Sequence, residues 1–256
     1  MSKIIKVHSV IAGSVYDGPG MRYVLFVKGC PMRCKFCHNP DTWTQEGAED
    51  VDTDEIVRRV VRYKGYFGKD GGFTITGGEP LMQLDALIEL FQKLKKENIN
   101  TCLDTSGVIF NPNNPELMKK FDELIKYTDL VLLDIKQIDN EKHIWLTGKP
   151  NTNILEFGRY LSDHNIPIWS RHVIVPGISM DDETLTKTKE YLDTLKTVEE
   201  RDVLPYHTMG VAKYKELGIP YPLDGVRTPT KSEREHAEFM LGARDTDVTP
   251  DPNEKY

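Results

Sequence analysis

Along most of the chain, short runs of β-branched and aromatic residues alternate with longer stretches whose apolar positions recur every three or four residues. Residues 22–28 (RYVLFVK) have the composition of a strand. Asp52 with Glu55 reads as a capping box, and Ile56, Val57, Val60 and Val61 share one face of the helix it opens. Residues 73–76 form a second strand stopped by Gly77 and Gly78, and Leu84, Leu87, Ile88, Phe91 and Leu94 mark an amphipathic helix. The alternation continues with strand 100–104, helix 115–126, strand 130–135 and a helical stretch at 153–164. Strand 168–175, helix 181–196, strand 202–205 and a last helix near 232–241 complete it.

Six βα units in succession predict a parallel sheet with helices outside it, either doubly wound or curled into a barrel. No glycine-rich dinucleotide fingerprint opens any helix, which favours the barrel. The expected fold is therefore α/β, a partial (β/α)6 TIM-type barrel of parallel strands with outer helices. A chain of 256 residues suits one such domain, expected over residues 1–242, with residues 243–256 a polar and flexible tail.

Chemistry in parallel α/β folds gathers at the carboxyl ends of the strands, and polar residues cluster there in this chain. GCPMRCKFCHN follows the first strand, TGGEP the second, LDTSG the third and LDIK the fourth. Arg171 lies within the fifth strand and LPYH ends the sixth. Turn chemistry accounts for the glycines, and capping could account for Asp104 alone, but neither accounts for six strands ending this way.

Composition narrows the partners. The net charge of −7 argues against broad contact with nucleic acid, and no apolar run is long enough to cross a bilayer. The N-terminal residues carry no signal-peptide cleavage pattern, so a cytoplasmic location is expected. Four cysteines then belong to a reducing compartment, where a disulfide framework is not expected. Cys102 reads as a small buried hydrophobe on a strand. Cys30, Cys34 and Cys37 fall within eight residues. Zinc could take them with His38 as a Cys3His set, but adjacent side chains such as Cys37 and His38 do not easily converge on one tetrahedral ion. Three thiolates in one tight loop better suit three corners of a 4Fe–4S cube, leaving one iron open to a substrate. A zinc-stabilised binding protein remains the rival reading from a different class.

The motif CPMRCKFC, residues 30–37, is the C-x3-C-x2-C pattern of the radical S-adenosylmethionine enzymes, including a large residue, Phe36, before the last cysteine. TGGEP at 76–80 resembles their second motif. YDGPGMR at 16–22 resembles the opening of the glycyl-radical activating enzymes, and the similarity runs from about Val7 to about Lys231. No second cysteine-rich insert accompanies it. The resemblance implies a 4Fe–4S cluster on Cys30, Cys34 and Cys37 that reductively cleaves S-adenosylmethionine. It also implies a glycyl-radical enzyme as protein substrate and a flavodoxin or ferredoxin-type electron donor. Cofactor contacts are implied for Phe36, Cys37, His38, Gly78, Asp134, Ile135, Lys136 and His207. Asp104, Thr105, Leu132 and Asp134 match positions where such enzymes can hold a monovalent cation. Asp17 would meet the protein substrate, and Arg171 would pair with a carboxylate inside the barrel. A radical enzyme acting on a small molecule or an RNA base is the nearer alternative.

Overall fold

Strands covered on both faces read as continuous apolar runs, and such runs build the centre of the sheet. The structure, a computed structural model, describes residues 2–243. Strand β1 (Ile4–Ser14) runs antiparallel to both β2 (Arg22–Val27) and β3 (Glu49–Asp52). From β2 onward the sheet is parallel through β4 (Gly72–Gly77), β5 (Asn100–Thr105), β6 (Leu130–Asp134), β7 (Ile168–Ile174) and β8 (Val198–Pro205). The order among the described residues is β3-β1-β2-β4-β5-β6-β7-β8. Val24, Val27, Phe73, Val131 and Leu133 are buried completely in its core. The six parallel strands are the expected ones, and they form a partial barrel.

The antiparallel extension was not anticipated. In β1 only Ile5, Val7 and Ser14 are buried, while Ile4 and Ile11 are exposed, so its alternation is too broken to mark a strand.

Helices α1 (Thr53–Val61), α2 (Leu84–Lys96), α3 (Pro115–Leu124), α4 (Asn140–Thr147), α5 (Thr152–Asp163), α6 (Asp182–Asp193), α7 (Val211–Glu216) and α8 (Lys231–Leu241) fill the connections. The Asp52 carboxylate caps α1 by accepting from Glu55 N at 2.8 Å. Helix α2 buries Leu87, Leu90, Phe91 and Leu94 against the sheet. Short helices α4 and α7 were not predicted. In α4 apolar and charged positions are mixed around the axis, and its limits come from the Asp139 cap and the left-handed Gly148. The polar tail expected beyond 242 falls, from residue 244 on, outside the described residues.

Candidate active site

The loop after β2 is shaped by main-chain bonds before any cofactor is considered. Gly29 N donates to Thr42 O at 2.7 Å and Cys30 N to Trp43 O at 3.1 Å. Arg33 N and Lys35 N donate to Thr147 O and Leu146 O at the end of α4, at 2.8 and 2.9 Å. Those two bonds flank Cys34, which is buried, with Cys30 and Cys37 half-buried. Desolvation pushes the Cys30 and Cys34 thiols up to about 12 and raises Cys37 as well. Lys136 acts against that rise at all three. Such thiols ionise only when a cation displaces their protons, the condition under which cysteine binds metal. Among the described residues, no three His, Cys, Asp or Glu side chains converge on a single-ion site.

The two glycines of TGGEP are demanded by packing. A Cβ at Gly77 would lie 2.5 Å from Val27 N, and one at Gly78 would lie 2.3 Å from the Gly29 carbonyl. Gly78 N donates to Val27 O and Glu79 N to Gly29 O, both at 2.8 Å, so this loop is laced onto the start of the cysteine loop. Gly78 was expected to matter for close approach of a ligand; the close approach seen is to Gly29.

Glu79 was passed over in the sequence and is the hidden brace of the site. Its buried carboxylate accepts from Thr105 Oγ1 (2.5 Å), Ser106 Oγ (2.7 Å), Ser106 N and Leu81 N (both 3.1 Å), tying the end of β4 to the end of β5. Burial raises its pKa against those bonds. The pairing of TGGEP with LDTSG was the only signal available. Thr105, matched to a cation ligand, thus spends its hydroxyl on Glu79.

Asp134 ends β6 and pairs with Lys136 at 2.8 Å, with the Lys136 ammonium 5.5 Å from the Phe36 ring centroid. Burial alone would lower Lys136, but Asp134, the Cys34 thiol and Asp104 outweigh it and hold the ammonium charged. Ile135, between them, is fully buried. Across the site His38 and His207 stack, and Gly210 is so close that a Cβ there would lie 2.9 Å from His38 Cα. Burial, then His207, drives His38 down to about 4 and keeps it neutral; its Nε2 is buried without a protein partner.

On the inner face, Asp104 accepts from Thr76 Oγ1 at 2.6 Å and pairs with Arg171 at 3.2 Å, so Arg171 meets the carboxylate expected of it. Burial pushes the Asp104 carboxyl up, to about 6, against the pull of Arg171. Leu132 is the register partner of Asp104 and Asp134 that of Arg171. Arg171 also donates to Tyr16 O at 2.7 Å, and Thr74 Oγ1 to Asp17 O at 2.7 Å. The segment around Asp17 therefore reaches β4 and β7 alike. Asp17 Oδ2 accepts from Ser14 Oγ at 2.5 Å. Cys102 is fully buried beside Leu130 and Leu132, away from the other three cysteines.

The model of the Radical SAM superfamily matches residues 24–188, from within β2 into α6. The chain belongs to that superfamily, which uses a 4Fe–4S cluster and S-adenosylmethionine, and the zinc-stabilised binding protein is set aside. More particularly, it is similar to the pyruvate formate-lyase-activating enzyme of Staphylococcus epidermidis, at 53% identity over 224 residues, 87% of this chain and 89% of the relative. The enzyme of the same name from Staphylococcus aureus is 51% identical over the same shares. Among solved structures, a domain of pyruvate-formate lyase-activating enzyme from Bacteroides vulgatus shares the fold, with TM-score 0.55 and 24% identity, covering 67% of this chain and 93% of its own.

The residues present fit both groups. Cys34, buried, and Cys30 and Cys37, half-buried, stand together in one loop braced by main-chain bonds, a donor set that suits the cluster. The unpartnered His38 Nε2 and the charged Asp134–Lys136 pair offer a polar cofactor contacts of each sign.

Proposed function

We propose that this protein activates pyruvate formate-lyase by installing a glycyl radical on it. The observation that carries the reading is the convergence, at one end of the barrel, of the three-thiol loop with the Asp134–Lys136 pair and the His38–His207 stack. When bound, the cluster supplies one electron to the sulfonium of S-adenosylmethionine, which parts into methionine and a 5′-deoxyadenosyl radical. The chain's own residues bind and orient. Lys136 offers its cation to the methionine carboxylate, and Asp134 accepts from ribose hydroxyls. Phe36, His38 and His207 enclose the adenine side, and Cys37, Gly78 and Ile135 supply main-chain contacts. Removing hydrogen from a glycine Cα needs no acid–base pair; it needs the glycine held close and water kept out.

Finer parts belong to the same proposal. The electron comes from a flavodoxin or ferredoxin-type donor. Asp17 receives the glycine-bearing loop, its Oδ1 accepting backbone N–H groups while Oδ2 stays on Ser14. A monovalent cation beside the methionine carboxylate would draw on Asp104, Thr105, Leu132 and Asp134, with Leu132 serving through its carbonyl. Residues 1–242 act as one domain. No helix among the described residues is long and apolar enough to cross a membrane, and the enzyme works in the cytoplasm on a protein, not a nucleic acid.

The test is anaerobic reconstitution with iron and sulfide, followed by incubation with S-adenosylmethionine, a reductant and pyruvate formate-lyase. A glycyl-radical signal on the partner should appear and should vanish in Cys30→Ala, Cys34→Ala and Cys37→Ala, each with lost iron. Cys102→Ala should keep both. Iron loss in Cys102→Ala alone would overturn the ligand assignment.

A further inference from the structure

An electron has to reach the cluster, and the barrel mouth is already committed to S-adenosylmethionine and the protein substrate. The donor therefore needs another face. The last turn of α4 lies against the cysteine loop, with Leu146 O and Thr147 O bonded to the residues on either side of Cys34. His143, Leu146 and Thr147 take the inward positions of α4, which leaves Ile144 and Trp145 outward. Trp145 is 55% exposed and Ile144 44%. The Lys35 ammonium sits 4.7 Å from the Trp145 ring centroid, and the exposed Arg33 guanidinium 5.0 Å from that of Trp43.

Neither cation is held by a carboxylate among the described residues. Arg33 donates to the Cys30 and Met32 carbonyls at 2.7 Å, and Lys35 rests on the indole. Elsewhere on this surface lysines and arginines are commonly paired with acids, as in Lys6–Asp50, Lys95–Asp129 and Lys120–Asp85. On the helix itself Lys142 faces Asp181 at 3.8 Å, and Glu141 is exposed. A chain of net charge −7 thus carries two unneutralised cations and an exposed indole beside its most buried cluster ligand.

We propose that this flank, Lys35 and Arg33 with Trp145 and Ile144, is the docking surface for an acidic one-electron carrier protein. The inference rests on the proposed function, which requires such a carrier. Opposite charge steers the carrier to the flank, and the exposed indole gives an apolar anchor of the kind interfaces favour. In the step itself the reduced carrier loses one electron and the cluster gains one; no bond forms or breaks and no proton moves. The carrier's redox group would be brought to the α4 side of the cysteine loop, leaving the mouth open to the protein substrate.

The test is binding of an acidic bacterial flavodoxin to the reconstituted protein, read by titration at low and high salt. A stopped-flow measurement of cluster bleaching by the same flavodoxin, reduced, accompanies it. The variants are Lys35→Glu and, outside the cysteine loop, Trp145→Ala with Ile144→Glu; Arg33 is left alone because it holds the Cys30 carbonyl. Each variant should keep its iron, and glycyl-radical formation driven by dithionite should stay within about twofold of the parent. Flavodoxin should bind about tenfold more weakly and bleach the cluster more slowly in proportion, and the salt dependence seen in the parent should shrink. Should Lys35→Glu lose iron, the α4 double variant decides alone. Unchanged flavodoxin affinity and salt dependence in an iron-loaded variant would overturn the docking surface. Failure of the parent itself with dithionite would instead overturn the activating function.

Discussion

The imidazole rings of His38 and His207 stack with centroids 3.8 Å apart and planes 27° apart, joining the cysteine loop to the loop that follows β8. Their stack makes a flat wall beside the cluster loop, and an adenine is the flat partner such a wall suits. His207→Ala should therefore weaken S-adenosylmethionine binding by about 1 kcal/mol, roughly fivefold, while iron content stays the same. Equilibrium binding on the reconstituted protein, with iron assayed on the same sample, checks it.

Glu79 is a buried carboxylate held by four bonds that tie two strand ends together. Glu79→Ala leaves the Ser106 and Leu81 N–H groups and the hydroxyls of Thr105 and Ser106 without their acceptor, and should cost about 3 kcal/mol of stability. Glu79→Gln keeps one carbonyl acceptor and should lose less. Denaturant unfolding of the three proteins gives the order, and an alanine variant as stable as the parent would remove Glu79 as a brace.

His143 sets a dependence on pH. Its Nδ1 faces the Lys149 carbonyl at 2.6 Å and so carries the proton, while Nε2 is buried without a partner. Burial, with Lys136 adding to it, lowers its pKa below the usual histidine value. The unfolded chain takes up the proton first, at about pH 6.5. The contribution of this neutral ring is therefore complete above about pH 6.5 and is lost as pH falls through the lowered folded value. His143→Asn keeps a donor for Lys149 and removes the titration. Between about pH 6.5 and 5 its melting temperature should fall less steeply than the parent's. Parallel slopes would exclude His143 as the titrating group.

Asp17→Ala should separate two activities. Cluster content and S-adenosylmethionine cleavage without the partner protein should stay near the parent's, and glycyl-radical formation on the partner should slow. If both rates fall together, Asp17 serves the cofactor site and not the protein substrate.

The parallel strands could be read in the chain because burial on both faces leaves an unbroken apolar signature, as in VLFV of β2 and LVLL of β6. Strand β1, half exposed at the antiparallel edge, and the first half of β8, which reads VEER, carry no such signature. The three-cysteine motif was legible because it lies within one loop. The His38–His207 stack and the Glu79–Ser106 bonds join segments distant in sequence, and only the closure of the sheet brings them together. Local pattern reports which face of an element is buried, and it is silent on which loops then meet.

The central claim is that a radical made at the three-cysteine loop takes hydrogen from a glycine of pyruvate formate-lyase. The most direct measurement uses partner protein carrying glycine deuterated at Cα, activated anaerobically, with the released 5′-deoxyadenosine analysed by mass spectrometry. One deuterium should appear in the nucleoside for each glycyl radical formed. A glycyl radical accompanied by unlabelled 5′-deoxyadenosine would contradict it.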